Sequence, residues 1–115
     1  MEFKRKDLGP SVVVLEMTGK MSMGRDLKRL DEEVGLLIGE KRTRVILDLS
    51  AVHFLDSSAL GCIVRNLGRL KNSGGSLRLA GVTGMVEGVL KLTHVDKVIE
   101  IYPTALDAAQ DSPTA

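Results

Sequence analysis

The sequence predicts an α/β fold, a mixed central sheet of four to five strands with about four flanking helices. Two observations carry this expectation. Short β-branched apolar runs of strand length alternate along the chain with longer segments whose apolar residues recur every three or four positions. The segment from 44 to 80 also reads as strand, helix, strand, a unit whose two strands run parallel with a right-handed crossover.

Each element has its own signal. Val12-Val13-Val14-Leu15 lies between Gly9-Pro10 and Gly19 and reads as a strand entered from a turn, with Phe3 to Leu8 as its hairpin partner. Leu27, Leu30, Val34, Leu37 and Ile38 form one apolar stripe, predicting an amphipathic helix from near Ser22–Arg25 to near Gly39. Val45-Ile46-Leu47-Asp48-Leu49 is too continuously apolar for a half-exposed strand and is expected at the centre of the sheet, followed by a loop from Ser50 to Leu55. Leu60, Ile63, Val64, Leu67 and Leu70 recover helical spacing until Asn72-Ser73-Gly74-Gly75 ends the helix. Leu77 to Ala80 is a strand, Thr83 to Leu92 a helix and Val98 to Ile101 a strand. A short helix opens at Thr104 with Asp107 three residues on, and the end from Gln110 is expected to fray. Gly81, Gly84 and Gly88 are expected to let the third helix approach the sheet closely.

Composition narrows the function. The chain has 115 residues, enough for one domain over 1–115 with an ordered core of about 2–110. A net charge of +1 and three scattered aromatics, Phe3, Phe54 and Tyr102, argue against a dedicated nucleic-acid binder. The apolar runs are far short of the ~20 residues of a membrane span, and Met1 to Pro10 has no apolar signal region. With Cys62 alone, the cytoplasm is the expected compartment.

The segment richest in chemistry is Phe54-Leu55-Asp56-Ser57-Ser58-Ala59-Leu60-Gly61, at the handover from a buried strand to a helix. Asp56 or Ser57 can cap that helix, and an ordinary well-capped helix accounts for both residue types. The same free N–H groups and macrodipole welcome an anion. A serine hydrolase needs a Gly-x-Ser-x-Gly elbow and a supported base, whereas Ser58 is flanked by Asp56 and Leu60 and the nearest histidine is His53. A receiver domain would place its acceptor at Asp48, but Thr18-Gly19-Lys20-Met21 offers no carboxylates to hold magnesium. No phosphate-binding glycine motif occurs, and Gly74-Gly75 reads as a turn. His53, His94 and Cys62 lack metal-ligand spacing, so no metal or cofactor is expected, and Cys62 reads as a small buried filler. Lys41-Arg42-Thr43-Arg44 reads as a solvated turn.

The element order, together with Val45 to Ser50, Asp56-Ser57-Ser58-Ala59-Leu60-Gly61 and Gly75 to Ala80, resembles the STAS domain, and within that family the bacterial anti-sigma factor antagonists. The resemblance spans roughly residues 2 to 110 and implies a non-enzymatic regulatory module. It implies that an anti-sigma factor with serine-kinase activity phosphorylates Ser58, with Ser57 as second choice, and that a protein phosphatase resets it. Met21, Ser22, Met23, Asp56, Ser57 and Ser58 are the expected partner-binding residues; for Met21 and Met23, core filling is the competing role. The chain departs from the family pattern at Ser22, where members commonly carry an acidic residue, and at Ala59, where many have glycine. Within the same fold, the alternative is a scaffold or accessory STAS protein of a stress-signalling assembly or membrane transport system, in which Ser58 is not modified.

Overall fold

The computed structural model describes residues 2–9, 12–22 and 24–110. In chain order the elements are β1 (Glu2–Asp7), β2 (Val12–Met21), α1 (Arg25–Gly39), β3 (Arg44–Leu55), α2 (Ser57–Asn72), β4 (Ser76–Ala80), α3 (Gly84–Leu92), a single 3-10 turn (Val95–Lys97), β5 (Glu100–Tyr102) and α4 (Ala105–Gln110). The sheet is mixed, in the order β1-β2-β3-β4-β5. β1 pairs antiparallel with β2, and every other neighbouring pair is parallel.

Continuous apolar runs in the central strands follow from coverage on both faces. Val13, Leu15, Val45, Leu47, Leu77 and Leu79 face one large core shared with α1, α2 and α3. Their neighbours Val14, Ile46 and Ala80 turn to the other face, where α4 seats Ala108. Arg78, only 4% exposed, holds α4 in place by donating from its guanidinium to the Ala108 carbonyl at 2.7 Å. The expected cap of α4 is present, with the Asp107 N–H donating to Thr104 Oγ1 at 3.1 Å.

Three expectations change. Ser50 to Leu55 is strand rather than loop, because β2 itself continues to Met21 and supplies partners, Thr18 to Ala51, Gly19 to Val52 and Met21 to Leu55. β4 leaves the ladder at Ala80, so this stretch is a two-stranded extension beyond the main sheet. The last strand begins at Glu100 rather than Val98, because the turn after His94 takes up Val98, whose N–H donates to the Val95 carbonyl. Finally, of the three glycines expected at a close approach, only Gly81 makes one: its φ is +72° and an added Cβ would lie 2.8 Å from the Ser50 Cβ. A Cβ on Gly84 or Gly88 would meet open space, although Gly84 still has a left-handed φ of +56°.

Candidate functional site

The site grows from the junction of β2, β3 and α2. Asp56 leaves β3 in an extended conformation, φ −108° and ψ −177°, and caps α2 by accepting from the Ala59 N–H at 2.9 Å. Its own N–H donates to the Met21 carbonyl at 3.2 Å. Thus the end of β2 and the start of α2 meet at one end of the sheet, as the strand-helix connections predicted. Ser57 opens the helix exposed, and Ser58 follows half-buried. The first turn of α2 contains no acidic residue, so the Asp56 carboxylate is the negative group that the capping bond places at its positive dipole end, while Arg69 and Lys71 complement the opposite end.

The six expected partner-binding residues divide. Asp56, Ser57, Ser58 and the half-buried Ser22 gather at this end. Met21 does not present its side chain, because it is 0% exposed and packs in the main core, so the core-filling role holds there and the expected contact is withdrawn. The alternation of β2 explains this: Met21 sits on the core face like Met17, while Lys20 between them is exposed. Met23 lies outside the described residues.

Sequence reasoning missed the surface of the strand extension, where Lys20 and His53 are exposed and Phe54 is half-buried beside Asp56. The apolar pair Val52 and Leu55 was the available signal, since both are buried. Also unforeseen was a polar cluster between α1 and α2. Asp31 accepts from Asn66 at 2.9 Å and Arg65 at 2.7 Å, and Arg69 donates to the Asp31 carbonyl and to Asn66. Burial pushes the Asp31 carboxyl up, but the hydrogen bonds from Asn66 and Arg65 outweigh it and hold the group below its ordinary range. Cys62 is 1% exposed, and burial, reinforced by Asp31, pushes its thiol up to about 11. That is the inert filler expected of it. The basic turn is not simply solvated, since Arg42 pairs with Asp7 at 2.6 Å.

His53 and His94 lie apart from Cys62, one on β3, one at a left-handed turn and one inside α2. Among the described residues no three His, Cys, Asp or Glu side chains gather in a metal-sized group, and no helix is long and apolar enough to cross a membrane.

This fold, with its capped serine pair at a strand-helix junction, is that of a small α/β domain with a mixed five-stranded sheet. The STAS domain profile matches residues 5–108, and the chain belongs to the STAS family. It is 38% identical over 68 residues to a Thermotoga maritima protein described as an anti-sigma factor antagonist; the match covers 59% of this chain and 60% of the relative's length. A crystal structure of a Thermotoga maritima anti-sigma factor antagonist superposes with a TM-score of 0.84 at 29% identity, covering 95% of this chain and 92% of the other. The Bacillus cell fate determinant SpoIIAA in its phosphorylated form shares the fold, with a TM-score of 0.75 at 16% identity, 94% of this chain and 96% of that one.

Proposed function

We propose that this chain is an anti-sigma factor antagonist, switched off when its partner, an anti-sigma factor with serine-kinase activity, phosphorylates Ser58. The observation that carries the reading is the start of α2, where the half-buried Ser58 stands two residues beyond the Asp56 cap on a helix anchored to β2. The chain needs no chemistry of its own. The kinase brings ATP, magnesium and the base, and the antagonist presents the hydroxyl. A phosphatase restores it.

Phosphorylation adds about −1.5 to −2 charges next to Asp56. The helix N-terminus tolerates that charge, but a docked partner must desolvate it. Stranding a buried charge costs about 3 to 5 kcal/mol, and less where the interface stays wet. The relatives named as anti-sigma factor antagonists and the phosphorylated fold neighbour support this assignment.

The module is non-enzymatic in this reading. Ser58 lies between Asp56 and Leu60 rather than in a Gly-x-Ser-x-Gly elbow, which supports a presenting rather than a nucleophilic role. A serine-reactive phosphonate that labelled either residue stoichiometrically would overturn this. For the switch itself, Ser58→Ala should bind the partner and escape modification, and Ser58→Asp should bind more weakly. Mass spectrometry after incubation with the candidate kinase and ATP decides between the two serines. Phosphate on Ser57 alone refutes the assignment to Ser58. No phosphate on either, with a kinase shown to be active, favours the scaffold or transport reading, to which the uncharged Ser22 already points.

A further inference from the structure

α4 is held to the sheet by little. Its six residues pack Ala105, Ala108 and Ala109 onto the outer face, where Ala108 completes a cluster of four buried residues with Val14, Ile46 and Ala80. That cluster is separate from the main core under α1, α2 and α3. Leu106, the single large apolar side chain of α4, is 62% exposed. A helix this short does not hold itself, because ordering its backbone yields few hydrogen bonds, and alanine methyls bury little apolar area in compensation.

Arg78 supplies the remaining hold. It stands on β4 opposite Glu100 of β5, with its Nε 3.3 Å from the Glu100 carboxylate and its guanidinium 5.4 Å from the centre of the Tyr102 ring. From there Nη1 donates to the Ala108 carbonyl at 2.7 Å, in the last turn of α4, where no later N–H of the helix meets that oxygen. When α4 lifts, Glu100 and Tyr102 stay beside the guanidinium and water replaces the Ala108 carbonyl. Opening therefore strands no buried charge.

We propose that α4 is a detachable strap latched by Arg78, lifting as one unit while the five-stranded sheet and the main core stay folded. Local openings draw on elements with few buried apolar contacts, and α4 has the fewest means of staying down. The hinge is the exposed Pro103, because Thr104 travels with the helix, accepting from the Asp107 N–H at its Oγ1 and from the Ala108 N–H at its carbonyl. Lifting uncovers Val14, Ile46 and Ala80, so the strap decides whether the outer face of the central strands meets water.

Native-state hydrogen exchange of the whole chain tests this. The Asp107 and Ala108 amides should share one opening, with protection about a hundredfold or more below that of Val45 and Leu47 in β3 and insensitive to low denaturant. Ala108→Asp sets a carboxylate against Val14 and Ile46 and should hold the strap open. The Asp107 amide then loses its protection, while Val45 and Leu47 keep theirs to within about threefold. Acrylamide should also quench Tyr102 more strongly; it packs against the same cluster and is the single tyrosine of a chain without tryptophan. Arg78→Met keeps a long unbranched side chain without its donors and should raise exchange at Ala108 about tenfold relative to β3. Wild-type strap amides as protected as those of β3, or an Ala108→Asp protein whose sheet unfolds together with α4, overturns the proposal. Unchanged Ala108 exchange in Arg78→Met overturns the latch.

Discussion

The backbone N–H of Asp56 donates to the carbonyl of Met21 at 3.2 Å, so the last residue of β2 and the cap of α2 form one junction. The main chain makes this link, so it does not depend on the side chain at either position, short of a proline at 56 that would remove the donor. The Asp56 side chain has a separate task, accepting from the Ala59 N–H.

Asp56→Ala should therefore destabilise the protein by roughly 0.5 to 2 kcal/mol through loss of the cap, and Asp56→Asn by much less. Thermal unfolding measures the difference, and faster hydrogen exchange at the Ala59 amide should accompany the alanine variant. An unchanged melting temperature for Asp56→Ala would show that the cap contributes nothing.

Met21 separates core from interface. Met21→Ala removes a fully buried side chain and should cost about 2 to 5 kcal/mol. Ser22→Ala, half-buried and outside the core cluster, should stay within about 0.5 kcal/mol. Denaturant titration of the two variants distinguishes the roles, and a stable Met21→Ala with weakened partner binding would return Met21 to the docking face.

The Asp31 cluster gives stability a pH dependence. Its folded pKa is lowered by the Asn66 and Arg65 hydrogen bonds despite opposing burial. The stabilisation is therefore present above the unfolded value of about 3.9 and is lost as pH falls through the lower folded value. Asp31→Asn should lower neutral-pH stability by about 1 kcal/mol, a figure discounted for the third of the side-chain surface left in water. The gap between variant and wild type should close in acid, and a constant gap across pH would exclude ionisation as its source.

Cys62, with its thiol pushed up to about 11 and almost no exposed surface, should react with a disulfide reagent at pH 8 only as fast as the protein opens. Full reaction in denaturant is the control. Prompt labelling of the folded chain would mean that α2 moves away from α1 readily.

Gly75 is required for space rather than for φ. An added Cβ would lie 2.0 Å from the Thr43 carbonyl oxygen, which already accepts from the Ser76 N–H. Gly75→Ala must shift backbone at the β3–β4 entrance, and we expect a loss of roughly 2 to 4 kcal/mol, read by chemical unfolding.

Local chemistry determined much of this protein. The helical spacing of Leu27, Leu30, Val34 and Leu37 placed α1, the run Val45 to Leu49 marked a strand covered on both faces, and Asp56-Ser57-Ser58 announced a helix start, because periodicity and caps are short-range properties. Tertiary structure alone decided the rest. Ser50 to Leu55 is short and mixes Ser50 and His53 with Val52, Phe54 and Leu55, so its own residues left strand and loop open until β2 ran alongside it, and the face on which Met21 landed depended on that register. The encounter of Asp31 with Asn66, 35 positions apart, required α1 and α2 to pack side by side. Such pairings depend on which elements become neighbours in space, and a single strand or helix cannot specify its neighbour from its own residues.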